Sequence, residues 1–464
     1  MHLNELVNKY EEMSSQNKSL YFDADQIEAI AYSYESRDDF NEALSVVNFG
    51  LSLHPLNSSL ILLKAKYLLF LDYVEEAGRI IVTISDESEE TMLVKIEYEF
   101  AKGNNEKGYF LLYNQLNNPE ISWEFCMDAI NILWGYSPYE EIIRFIYKAI
   151  EKHPDNLDLK CELATIYKDN SDEQKAIILY NEILDADPYK INIWFELARA
   201  YYQIRNYEKA LESCDFAIAI SDDNKEISCF RGYCLYELEN YLEALDVFKE
   251  YEEYSSKDNS VFDYIADCYS KLDMTPKAIE YIESTLIKNP DNPHLLFHLA
   301  FYYQDLGNTP KAREILDHCI ELDNNNPEYY KLKADIFQQE SDFENALLFF
   351  KKVIEKNPSY DVLAQMGDCC EKLDDIDTAI DYYIQAIQLR PNDIRIMFRL
   401  ILAYYSINEP DKAIELSHQI DHIITQMQEN KESLSEEERI DLEETNKMIN
   451  NIKKVLSELL GTDL

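Results

Sequence analysis

Apolar residues in this chain recur at steps of three and four, the spacing that gathers them on one face of a helix. The stretch WFELARAYYQIRNYEKALESCDFAIAI, residues 194–220, shows the pattern twice. Trp194, Leu197, Ala198 and Tyr201 form one stripe, Ala210, Cys214 and Ala217 form another, and polar Arg205 and Asn206 stand between them. This predicts two helices joined by a short turn. Glycine (9) and proline (13) are scarce for 464 residues, which argues against a turn-rich sheet fold. Hydrophobic residues make up 46%, enough to build a core and to exclude wholesale disorder.

The paired stripes repeat. Ala176, Ala210, Ala244, Ala278, Ala312 and Ala346 are spaced 34 residues apart, and Ala379 and Ala413 follow after one 33-residue step. A second small residue precedes the first seven by 12 positions: Ala164, Ala198, Gly232, Ala266, Ala300, Ala334 and Gly367. Three residues further on stands a larger one: Tyr167, Tyr201, Leu235, Tyr269, Tyr303, Phe337 or Cys370. Proline often closes the unit, at 55, 154, 188, 290, 358 and 391. Small residues at fixed places on both helices allow close approach, and rings fill the space between successive pairs. Asn206, Asn240 and Asp342 are expected to form the turn between the helices, because Asn and Asp tolerate conformations usually left to glycine.

These residues resemble the tetratricopeptide repeat, a pair of antiparallel helices. Its pattern has a small residue at position 8, a ring at 11, Ala at 20 and Pro at 32. Trp194, Leu197, Ala198, Tyr201, Ala210 and Ala217 follow the family pattern most fully. Clear units begin near 157, 191, 225, 259, 293, 327, 360 and 394, and another spans 24 to 57. The resemblance implies an all-α fold, a right-handed α-solenoid superhelix of about twelve helix pairs. The chain then divides into an N-terminal capping helix (1–23), partly degenerate units (24–156), a regular array (157–427), and a loop with a C-terminal capping helix (428–464). Leu3, Leu6, Val7, Tyr10 and Met13 form the stripe of the first cap, and Ser435 with Glu438 reads as a capping box for the last. Residues 91–122 are hard to phase, and Ile142 stands where Ala is expected. Both are read as divergent helix pairs, with a local break as the alternative. The chain most resembles long bacterial cytosolic tetratricopeptide proteins of unassigned role.

Charge narrows the partners. With 43 basic and 89 acidic residues, the net charge is −46. Such a field repels nucleic acid and anionic membranes and attracts basic partners. No basic n-region precedes an apolar segment, and no run of about 18 apolar residues occurs, so no signal peptide or membrane span is expected. The nine cysteines include no CxxC pair, which fits reduced thiols. A cytoplasmic location follows as the expectation.

Catalytic signatures are missing: there is no GxSxG, Walker loop, HExxH or GxGxxG. Repeats and caps use up the chain, which argues against an enzyme. Two histidine pairs have helical i,i+4 spacing, His294 with His298 and His418 with His422. Two imidazoles one turn apart can hold a metal, but no third ligand is evident in sequence. Neither a metal nor a cofactor is therefore expected.

In the family, the concave side is lined by positions 2, 5, 6, 9, 12 and 13 of the first helices. By that register Phe195, Arg199 and Tyr202 face inward, as do Phe230, Tyr233, Tyr236, Tyr264, Phe297 and Phe301. Glu196, Glu226, Glu237, Asp263 and Asp267 share the surface. The rings either grip a partner or cover one another. Trp194 and Tyr201 fall at packing positions, and Phe216 needs no functional explanation. Lys331, Gln365, Arg395 and Arg399 resemble a degenerate carboxylate clamp, with Asp335 of the wrong sign and paired instead with Lys331. The expected function is a non-enzymatic scaffold binding an extended, basic peptide or a protein surface in an acidic, aromatic groove. The alternative is a regulatory or assembly subunit that forms a homodimer or docks on an enzyme through its convex face or caps.

Overall fold

The structure, a computed structural model, describes residues 3–16, 20–221, 223–254 and 261–429. All regular structure among them is helical. The helix expected beyond Ser435 lies outside the described residues. No described helix is long and apolar enough to cross a membrane.

Successive helices pack as pairs. Ile191–Gln203 lies against Tyr207–Ile220, Pro327–Gln339 against Phe343–Lys356, and Tyr360–Lys372 against Ile376–Leu389. The small residues are where the pairs meet: Ala198, Ala210, Ala334, Ala346 and Ala379 are fully buried. At Gly367 an added Cβ would overlap the ring of Tyr383, itself fully buried. The glycine therefore lets this tyrosine lie flat against the helix.

The turn within each pair corrects one expectation. The left-handed residue is not Asn206 or Asp342 but the one before it: Arg205 (φ 60°) and Ser341 (φ 63°). Asn206 N–H donates to the Tyr201 carbonyl at 2.9 Å, and Asp342 N–H to the Phe337 carbonyl at 2.9 Å. These bonds close the first helix in a Schellman arrangement. The side chains of Asn206 and Asp342 then accept from Lys209 N–H and Asn345 N–H, each at 3.2 Å. Asn and Asp are used here as caps for the second helix, because they can accept from its unpaired amides.

The stretch that is hard to phase is also helical. Ser58–Phe70 pairs with Val74–Ile81, Glu89–Ala101 with Asn105–Gln115, and Trp123–Tyr136 with Tyr139–Lys152. Ala65 and Ala77 are still fully buried in the first of these pairs, but two glycines here face rings. A Cβ on Gly108 would fall 2.8 Å from Phe100, and one on Gly78 2.5 Å from Tyr98. Ile142 is buried where a smaller residue was expected.

The described residues form two compact units, divided between Leu238 and Glu239. Each is an α-solenoid of stacked pairs around successive apolar clusters. In the first, Leu6, Val7, Tyr10 and Met13 bury against Ile27, Ile30, Ala31 and Tyr34, while Leu3 stays exposed.

Candidate functional site

One rule of contact organises the exposed side of the first helices. In five repeats the residue at repeat position 6 reaches back over the first helix of the preceding repeat. It meets position 5, 9 or 12 there. In the first unit Glu196 takes the ammonium of Lys168 at 2.9 Å, and Phe230 meets Phe195 and Tyr202. In the second unit His298 meets Asp263, Gln365 meets Asp335 and Gln338, and Arg399 meets Asp368. The repeat period places the two positions side by side, so residue choice alone sets the chemistry.

At Phe230 that choice is aromatic. Phe230 lies edge-on to Phe195 at 5.5 Å, tilted against Tyr202 at 5.3 Å, and edge-on to Tyr233 at 6.3 Å. The Tyr202 hydroxyl donates to Glu237 at 3.2 Å. Arg199 sits over the Phe195 ring at 5.9 Å and pairs with Glu196 at 3.3 Å. Phe195, Tyr202, Phe230, Tyr233 and Tyr236 are all half-buried. Each is thus partly covered and partly open to solvent. Trp194 stacks on the exposed Phe216 at 4.6 Å and donates from Nε1 to the Pro188 carbonyl at 2.8 Å. Stacking on Trp194 accounts for Phe216, which has no part in the aromatic row.

The predicted rings of the second unit pack on rings outside the predicted set. Tyr264 packs on Phe248 at 5.4 Å and Phe297 on Tyr329 at 5.4 Å. Phe301 touches Tyr302 at 5.8 Å but keeps 46% of its surface exposed. The charged residues, by contrast, converge. Lys331, Gln365, Arg395 and Arg399 line one concavity of about 460 Å³ with Asp335, Asp361 and Asp368. Asp335 is held by Gln365, whose Nε2 donates to it at 2.9 Å. Lys331 acts on Asp335 only as a minor through-space charge, so the helical pair expected between them is not the main contact. Burial raises the Asp335 carboxyl above its usual range, against the opposing pull of Gln365 and Lys331. Arg399 pairs with Asp368, which also accepts from the Tyr383 hydroxyl at 2.8 Å. Arg395 extends into solvent, with only a distant contact to Asp393 at 3.9 Å.

Sequence reasoning missed Asp361, Asp368 and Tyr360 in this concavity. The back-reach from position 6 would have found Asp368, which stands at position 9 of the preceding repeat.

Family models described as tetratricopeptide repeat match residues 195–258, 271–336 and 360–393. The chain carries tetratricopeptide repeats. The first two matches each cover about two repeats and the third covers the repeat that begins at Tyr360. The tetratricopeptide repeat-containing protein MJ1428 of Methanocaldococcus jannaschii is 23% identical over 302 residues, 54% of this chain and 53% of that protein. The chain thus spans about half the length of the curated relative it matches. Among solved structures, a tetratricopeptide repeat protein from Parabacteroides merdae is 19% identical. The match covers 54% of this chain and 98% of that one, with a TM-score of 0.43. YrrB, described as a tetratricopeptide repeat protein with an unusual peptide-binding site, is also 19% identical. There the match covers 39% and 92%, with a TM-score of 0.34.

Proposed function

We propose that the chain is a non-enzymatic scaffold that holds an extended peptide, or the edge of a partner protein, along the exposed side of its first helices. Tetratricopeptide folds serve generically as protein-interaction scaffolds. The observation that carries the reading is the concavity lined by Lys331, Gln365, Arg395 and Arg399 beside Asp335, Asp361 and Asp368. It offers donors and acceptors together. An acidic group of the ligand would meet Lys331 and Arg395, and a basic side chain would meet Asp361. The net charge of −46 favours a partner that is basic on the whole. Exposed Phe301, in the same unit, supplies apolar contact.

The test is selection from a random peptide display library, followed by titration of the recovered peptides. Charged hydrogen bonds contribute roughly 1.5–3 kcal/mol each, so Lys331→Ala with Arg395→Ala should weaken the selected peptides by about 10-fold or more. Equal affinity for the variant would overturn the reading, as would failure to recover any binder.

A second reading is favoured by a different observation. Glu208, Leu211, Glu212, Asp215, Phe216 and Ala219 line a shallow hollow of about 390 Å³ on a second helix. This suits an assembly subunit that docks or self-associates through that face. Sedimentation of the wild type and Leu211→Glu across concentrations decides it. A dimer abolished by the substitution supports docking, and a monomer at every concentration removes the self-association form.

A further inference from the structure

His294 and His298 lie one turn apart on the helix Pro293–Asp305. Their rings are 4.9 Å apart at 50°. In sequence they lack a third ligand. The preceding repeat supplies one: Asp263, on the helix Phe262–Lys271, stands against both. Its Oδ2 is 2.9 Å from His294 Nδ1, and its Oδ1 is 3.6 Å from His298 Nε2. The three donor atoms all lie within 4.8 Å of one another. This is the only such cluster among the described residues.

From this geometry we infer that Asp263, His294 and His298 form a binding site for a divalent transition cation of the zinc class. Two imidazoles and a carboxylate are a donor set for such ions, whereas magnesium and calcium prefer oxygen alone. Zinc binds these atoms at about 2.0–2.2 Å, so ligand atoms in a tetrahedral site sit about 3.3–3.6 Å apart. The observed spacings bracket that range. His294 has 67% of its side chain exposed and is able to swing the remaining distance. Asp263 Oδ1 is sealed from solvent and receives no hydrogen bond from any described residue. A buried carboxylate oxygen left in that state is costly, and a cation would satisfy it. Asp267, one turn beyond Asp263, adds negative potential at His298 and accepts from the Tyr302 hydroxyl at 3.5 Å. Three protein ligands leave at least one position for water or for a donor from a partner.

The ligands come from two successive repeats. Metal therefore ties the helix 262–271 to the helix 293–305, and binding is linked to the stability of that joint.

The test uses the full-length protein stripped with chelator, then titrated with Zn²⁺ against a chromophoric competitor. The variants are His294→Ala, Asp263→Asn, and a control with His418→Ala and His422→Ala. One equivalent should bind to the wild type and to the control. Loss of an outer-shell partner costs about 10–100-fold in metal affinity, so loss of a ligand should cost about 100-fold or more. His294 is mostly exposed, so His294→Ala keeps the fold and isolates the ligand effect. Co²⁺ in place of Zn²⁺ should give visible d–d bands without a thiolate charge-transfer band. Zn²⁺ should also raise the melting temperature of the wild type and leave that of His294→Ala unchanged. Equal zinc affinity in wild type and His294→Ala would sink the inference, as would no binding at all. A thiolate band would transfer the site to the cysteines and likewise overturn it.

Discussion

Phe230 in the first unit and Arg399 in the second occupy the same repeat position and make the same backward reach. Phe230 meets the rings of Phe195 and Tyr202, and Arg399 meets the carboxylate of Asp368. The outcomes differ in kind. Rings that cover one another leave the surface and contribute mainly packing. An arginine paired with one carboxylate still has donors pointing elsewhere. A common slot in the repeat can thus serve cohesion in one place and recognition in another. Identity of the side chain, not its register, decides which.

The contrast can be broken by substitution, starting with the largest effect. Phe230→Ala removes a half-buried ring that bridges two repeats, and should destabilise by about 2–3 kcal/mol, below the range for a fully buried ring. Urea denaturation measures this. A change below about 0.5 kcal/mol would mean that the row is a free surface and not a packing device. Arg399→Ala should cost about 1 kcal/mol, because the pair with Asp368 is partly exposed. Its larger effect should fall on peptide titration, where Phe230→Ala has little. Reversal of those two profiles would remove the distinction.

Asp335→Asn gives the finest test, through pH. Burial raises the Asp335 carboxyl in the folded state, so folding favours its protonated form. The stability linked to that proton is full below the ordinary aspartate value of about 3.9 and is lost as pH rises through the raised value. Asn keeps an acceptor for Gln365 without the charge. The variant should therefore melt above the wild type near neutral pH, and the gap should close in acid. A gap that persists in acid would point to packing, not ionisation.

Much of this was legible in the chain itself. The alanines at 198, 210, 334 and 346 give the period, and they are buried because two helices meet there. The stretch 58–152 obscured the period because its close contacts use another pairing. Ala65 and Ala77 keep the signal in the first pair, but beyond it Gly108 receives the ring of Phe100 and Ile142 replaces Ala, so the signal fades while the helix pairs remain. Tyr202 and Phe230 lie against each other across two repeats, but register alone cannot say how far rings from neighbouring repeats cover one another. Asp263 reads in sequence as an inner-face carboxylate and not as a ligand, because it lies nearly a full repeat before His294. Local spacing finds ligands on one helix, and only the stacking of two repeats brings the third within reach.

The turns inside the pairs carry a consequence for protein engineering. Asp38, Asp72, Ser171, Arg205, Glu239, Asp273, Ser341, Asp374 and Asn408 all hold left-handed backbone without being glycine, and all are exposed. A side chain in that conformation costs roughly 1–2 kcal/mol, less for Asn and Asp, while glycine gives back about 0.5–1 kcal/mol in unfolded-state entropy. Arg205 and Glu239, which have no short polar side chain to ease the conformation, are the places where glycine gains most. Because the same joint recurs along the chain, such gains can be added one repeat at a time. A tougher version of this protein can therefore be assembled without altering any residue of its core or its candidate binding face.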